Sequence, residues 1–152
     1  GSRNGRLRGT GPASPGGTPT ACAMAALTLD HLSGGRHILG LGVSGPQVVE
    51  GWYGAKFPKP LARTREYIDI VRMALQRKRV RYDGKHFQLP LPDGPGKSLR
   101  LLLLPERGDL PIYLASLGPK NLALTGEIAD GDTVVLDLSD AETARDPGLT
   151  RR

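Results

Sequence analysis

His37-Ile38-Leu39-Gly40-Leu41-Gly42-Val43-Ser44-Gly45-Pro46 is an apolar run that breaks abruptly into small residues. Isoleucine and leucine suit a strand buried on both faces, and three glycines with a serine let the backbone approach something bulky or charged. The stretch predicts a strand opening into an anion-binding loop. Its glycine spacing also satisfies G-x-G-x-x-G, the dinucleotide fingerprint. That fingerprint runs straight into a long helix, with an acidic residue about 20 positions on at the end of a second strand. Here Gln47-Val48-Val49-Glu50 has room for about one helical turn before Gly51, Gly54, Pro58 and Pro60 interrupt it. The segment after those breakers reads as helix, so the dinucleotide reading fails on its context.

Working outward, residues 1 to 17 contain one leucine and no other large apolar side chain, which predicts a disordered leader. Thr18-Pro19 is a good helix start, an N-cap hydroxyl followed by proline at the first helical position. The helix predicted over Ala21 to Leu32 puts Met24, Leu27 and Leu32 on its inner side, and Ser33-Gly34-Gly35 stops it. Beyond the glycine loop, Trp52, Tyr53 and Phe57 stand in a connection without periodicity, where they either line a pocket or plug the rim of a core. Pro60 begins an amphipathic helix with Thr64, Tyr67, Ile68, Val71, Ala74 and Leu75 on one side. Arg77-Lys78-Arg79 then reads as the solvated end of that helix, where cations complement the dipole.

Asp83-Gly84 between two runs with aromatic and branched residues predicts a hairpin. The ending Gly96-Lys97-Ser98 imitates a phosphate-binding P-loop, but the pattern would need glycine at Leu91. Leu99 to Leu104 is either a strand or the approach to one. Pro111-Ile112-Tyr113-Leu114-Ala115 is a second buried-strand candidate, and it too breaks into small residues at Ser116-Leu117-Gly118-Pro119-Lys120-Asn121. A helix over Lys120 to Ala129 follows at once, so its first amides and its dipole favour a phosphate beside the strand end. Thr133 to Leu136 resembles a third strand, and Asp137 to Arg152 a poorly ordered tail. Buried strands alternating with helices imply an α/β fold with sites at strand C-termini, where both glycine loops fall.

Composition narrows the functional classes. The chain has 152 residues, 38% hydrophobic content, a net charge of +6 and a pI near 9.8. Such a balance invites nucleic acid, but Arg3, Arg6, Arg8, Arg145, Arg151 and Arg152 all lie in the two flanks and aromatics for base stacking are sparse. Cys22 is the only cysteine, which excludes an intrachain disulfide and suits a reduced, cytoplasmic setting. No stretch has the length of a membrane span or the layout of a signal peptide. His31, His37 and His86 have no companions spaced for ligation, so no metal is expected. Glu50 either orients a substrate or pairs with Arg63 or Arg65, Asp130 reads as turn chemistry, and Ser44 has no identifiable base.

These motifs together resemble the luciferase-like monooxygenase superfamily, in particular its deazaflavin-dependent (coenzyme F-420) oxidoreductase branch. The matching text is Thr18 through Ala26, Leu29 to Arg36 leading into Leu39 to Gly51, Lys59 to Tyr67, the Tyr82-Asp83-Gly84 turn, Leu117 to Asn121, and Glu127 to Gly131. The resemblance covers roughly residues 18 to 136 and makes the chain look like the middle portion of a family member. It implies an α/β fold, a partial (β/α)8 TIM barrel of the bacterial-luciferase type with a small hairpin excursion, holding its cofactor at the strand C-termini. Carried over residue by residue, Gly40, Gly42, Ser44, Gly45 and Pro46 would form a wall beside the cofactor. Ser116, Gly118, Pro119, Lys120 and Asn121 would cradle its phosphate.

The activity so implied moves hydride between a deazaflavin, or FMN as the alternative, and a small organic substrate, with no nucleic acid or membrane as partner. A homo-oligomer and the catalytic acid or base stay open. Two other readings stand beside it: an inactive truncated barrel fragment, and a basic nucleic-acid-binding module.

Overall fold

A computed structural model describes residues 8–12, 17–57 and 59–132. Thr18 caps helix α1 (Pro19–Ser33), its hydroxyl accepting from the Ala21 amide at 3.3 Å, and Gly34 ends it in the left-handed conformation. Strand β2 (Ile38–Gly42) leads through one turn, α2 (Pro46–Val49), to the long helix α3 (Pro60–Leu75). Strand β5 (Ile112–Ala115), helix α4 (Pro119–Ile128) and the two-residue β6 (Gly131–Asp132) complete the main layer.

Residues 8–12, which fall within the expected leader, form strand β1 (Arg8–Pro12), parallel to β2 with Arg8 opposite Ile38 and Pro12 opposite Gly42. Backbone pairing to an exposed edge is indifferent to side chains, so hydrophobic patterning carried no trace of it. The sheet order is β1-β2-β5-β6, every pair parallel. The strand expected over 133–136, and the tail after it, lie outside the described residues.

Leu39, Leu41, Ile112 and Leu114 face Ala23 and Ala26 of α1 and Tyr67, Ile68, Val71 and Ala74 of α3 in one core. The inner face of α3 is the expected one, with Ile70 buried as well and Leu75 only half-buried. For α1 the expectation needs correction: Leu27 is buried, but Met24 and Leu32 are 53% and 77% exposed. Apolar residues lie on both sides of this helix, Met24, Ala25 and Leu32 among the exposed ones, so periodicity could not single out a face. Ala23 and Ala26 set the close approach to a neighbour that the alanines at 21, 23, 25 and 26 imply, with Asp30 and Ser33 completing the buried side.

The hairpin forms as β3 (Tyr82–Asp83) and β4 (Gln88–Leu89), antiparallel, but four residues rather than a two-residue Asp-Gly turn join them. The reason lies on α3. Glu66 accepts from the amides of Lys85 (3.0 Å), His86 (2.8 Å) and Phe87 (3.0 Å), holding the turn open around its carboxylate. A Cβ on Gly84 would stand 2.3 Å from Glu66 Oε2, so any larger residue there must displace the carboxylate from the amides it holds. Phe87 meets the Tyr67 ring edge-on at 5.9 Å and lies under the Arg63 guanidinium at 4.9 Å. Replacing Glu66 with alanine strands three amides, and the expected cost is about 2 kcal/mol. A lower urea midpoint with faster hydrogen exchange at 85–87 checks this.

Leu99 to Leu104 forms no strand. Its carbonyls, and that of Ser98 before it, go to side chains and to one loop amide: Ser98 to Arg79 Nη1 (3.1 Å), Leu99 to the Val80 amide (2.9 Å), Leu101 to Arg77 Nε (3.3 Å) and Leu104 to His31 Nε2 (2.5 Å). The cations after α3 are thus more than a solvated helix end, because two of them strap this segment along the helical layer.

Candidate active site

The two ends of the sheet are built differently. At the N-terminal ends of the strands, fully buried Asp30 accepts from the His37 amide (3.2 Å) and from Arg107 Nη2 (3.1 Å), and Arg107 also donates to the His37 carbonyl. Asp130 Oδ2 accepts from Arg72 Nη2 (3.1 Å) and from the Ile112 amide (2.9 Å), so it ties α3 to β5 rather than serving a turn alone. His31 Nδ1 meets Glu106 at 2.8 Å. These contacts lock the base of the sheet, leaving the opposite end for chemistry.

At that opposite end both glycine loops emerge side by side. Gly42 and Ala115, the last residues of β2 and β5, are register partners, and a Cβ on Gly42 would lie 3.4 Å from that of Ala115. Ser44 leaves β2 exposed and with a positive φ of 58°, uncommon for a residue other than glycine. Gly45 then caps α2, its carbonyl accepting from the Val49 amide at 2.9 Å, and Pro46 stands exposed at the first helical position. On the neighbouring loop, Gly118 has φ 79° and ψ 158°, a region essentially restricted to glycine.

Gly118 offers α4 no side-chain cap, so the first amides of that helix stay open to a ligand. Pro119 and Lys120 are exposed there, while buried Asn121 reaches back to the Ala115 carbonyl at 3.5 Å and braces the loop. The Ser116 amide donates to Asp132 Oδ1 at 3.2 Å, and its hydroxyl is buried without a hydrogen-bond partner among the described residues. Open helix amides, an unsatisfied hydroxyl and a lysine suit a phosphate.

Gly40 sits within β2 rather than in the loop, opposite Tyr113. Strand alternation puts Gly40, Gly42, Tyr113 and Ala115 on the face away from the helices. Tyr113 shares that face with the glycines, although the sequence did not single it out. Its signal was its place between Ile112 and Leu114, since a polar ring flanked by two core positions must point the other way. It packs against Gly131, where a Cβ would come within 2.9 Å of the ring.

Glu50 pairs with neither arginine; its carboxylate accepts from the Phe57 amide at 3.1 Å. Arg65 pairs with Glu127 instead. Trp52 and Tyr53 are 84% and 52% exposed, so neither plugs a core. Titration anomalies fall elsewhere, on the helical side. Burial pushes the Cys22 thiol up, and burial together with that thiol raises the Tyr67 hydroxyl well above the ordinary phenol. Tyr82 is pushed up to about 12 by burial and then by its hydrogen bond to Asp69 (2.9 Å).

With this geometry in place, residues 9–147 match the luciferase-like monooxygenase family. The chain belongs to that family. It is 67% identical over 119 residues to a Mycobacterium tuberculosis (H37Rv) protein whose name assigns it provisionally to the coenzyme F-420-dependent oxidoreductases, covering 75% of this chain and 34% of the relative. It is 36% identical over 140 residues to the 5,10-methylenetetrahydromethanopterin reductase of Archaeoglobus fulgidus, covering 88% of this chain and 39% of that one.

Among solved structures, the coenzyme F-420-dependent tetrahydromethanopterin reductase of Methanopyrus kandleri superposes with a TM-score of 0.68 at 27% identity, over 84% of this chain and 39% of that one. The chain therefore spans little more than a third of the length of these relatives. Its four parallel strands are an arc of a luciferase-like (β/α) barrel. In such a barrel the face bearing Gly40, Gly42, Tyr113 and Ala115 is the interior, and the loop end is the mouth.

Proposed function

We propose that this chain supplies the part of a deazaflavin-dependent oxidoreductase that grips the cofactor. The observation that carries this is the pairing of the Ser44 and Gly118 loops on neighbouring parallel strands, one against an open helix N-terminus. Ser116, Gly118, Lys120 and the first amides of α4 hold the phosphate, while Gly40, Gly42, Ser44, Gly45 and Pro46 leave a flat wall for the ring. Pro119 and Asn121 set the loop's shape. The cofactor, when bound, supplies hydride transfer to or from a small organic substrate; the protein's work is placement and exclusion of water. The unit that does this is residues 18–136, extended at its edge by β1.

The arrangement of the basic residues favours this reading over nucleic-acid binding. Arg65, Arg72 and Arg107 pair with carboxylates, Arg77 and Arg79 bond carbonyls, and Arg63 stacks on a ring. No described helix is long and apolar enough to cross a membrane, and a lone cysteine suits the reducing cytoplasm. Association into a homo-oligomer is compatible with the same site.

Titrating the chain with coenzyme F-420 and with FMN, following the fluorescence of each, tests the proposal. Saturable binding of F-420 with weaker binding of FMN is expected. Preference for FMN would make the chain part of a flavin enzyme, and binding of neither would favour an inert fragment.

A further inference from the structure

On the helical side, α1 and the 97–103 segment border an open cavity of about 620 Å³. Its volume lies within the roughly 300–1,000 Å³ of small-molecule sites. None of the ten residues of the candidate cofactor site lines it. Met24 and Leu27 of α1, Ala74 of α3, Val80, Leu102 and Leu103 are among its lining residues. The leucine segment is held in place, because the carbonyls of Ser98, Leu99, Leu101 and Leu104 are engaged by Arg79, the Val80 amide, Arg77 and His31. Its leucines therefore stay apolar and exposed without collapsing inward: Leu99 is 74%, Leu102 83% and Leu103 44% accessible.

Charge sets the kind of occupant. Lys97 and Arg100 also line the cavity, no acidic side chain does, and neither cation takes part in an ion pair among the described residues. We propose that this cavity binds an anionic amphiphile, a long-chain carboxylate whose alkyl tail lies between α1 and the leucines and whose head meets Lys97 and Arg100. A purely apolar occupant leaves both cations unused, and a cationic one is repelled by them. The proposal does not rest on the cofactor reading, since the two sites share no residue.

The test is the fluorescence of cis-parinaric acid on titration with the chain, followed by displacement with dodecanoate or with dodecanol. Saturable binding near one site per chain is expected, displaced more effectively by dodecanoate. The double variant Lys97→Glu, Arg100→Glu should weaken dodecanoate about tenfold and leave dodecanol unchanged. Thr28→Trp, which fills the cavity from an exposed position on α1, should remove binding of both while the circular dichroism stays that of the parent. Gly118→Val should leave dodecanoate binding intact, which separates this site from the cofactor site. Equal displacement by the acid and the alcohol, no saturable binding, or loss of the probe as the chain self-associates in sedimentation would each overturn the proposal.

Discussion

Asp30→Ala is expected to lower the stability of the chain by about 3 kcal/mol, seen as a fall in the urea midpoint without loss of cooperativity. Asp30 is fully buried, yet it sits on α1 and accepts from two groups of other segments, the His37 amide that starts β2 and the Arg107 guanidinium on the loop before β5. Removing it leaves the partly buried Arg107 cation with the His37 carbonyl but no carboxylate, and the His37 amide with no acceptor. Asp30→Asn keeps an oxygen for the amide but loses the charge opposite Arg107, so its stability should fall between that of the wild type and that of Asp30→Ala. A loss below about 1 kcal/mol for the alanine variant would show that Arg107 finds water instead, and that the base of the sheet is held by packing alone.

Gly118→Val should weaken coenzyme F-420 by at least tenfold while lowering stability by no more than the roughly 1–3 kcal/mol of backbone strain. The backbone at Gly118, with φ 79° and ψ 158°, is one that a β-branched residue adopts only at a cost of roughly 1–3 kcal/mol. Nothing lies within 4 Å of a Cβ placed there, so the fold has no clash to resolve. The loop relaxes instead, turning the open amides of α4 away from the ligand, and about 1.4 kcal/mol of lost binding is already a factor of ten. Fluorescence titration beside a urea melt separates the two effects. Unchanged affinity would remove Gly118 from the phosphate site.

Much of this was legible in the chain. Ile38 to Gly42 and Ile112 to Ala115 announced themselves as buried strands because branched and long apolar residues end in glycine and serine, and α3 because its apolar spacing is regular. The two loops came with them, since a strand C-terminus next to a helix start is a local pattern. What was hidden is non-local. Strand β1 consists of Arg8-Gly9-Thr10-Gly11-Pro12, and only the edge of β2 makes it a strand. Leu99 to Leu104 has the composition of a strand, but the Val80 amide, Arg77 and His31 take carbonyls along it in place of a neighbouring strand.

Asp130 reads as turn chemistry, and nothing local in the sequence marks out Asp30 or Glu66. Each is instead a hub for amides or guanidinium groups 7 to 77 residues away in sequence. Tyr113 lay between the two cases, readable from alternation once the strand was accepted.

The account stands on the Ser44 and Gly118 loops holding one ligand between them. Amide chemical-shift mapping of the isotope-labelled chain during addition of coenzyme F-420 addresses that directly. Ser44 and Gly45 should shift together with Ser116, Gly118 and Lys120, saturating at the same ligand concentration, while the amides of Lys85 to Phe87 at the hairpin stay still. Shifts confined to one loop, or two loops saturating at different concentrations, would contradict it.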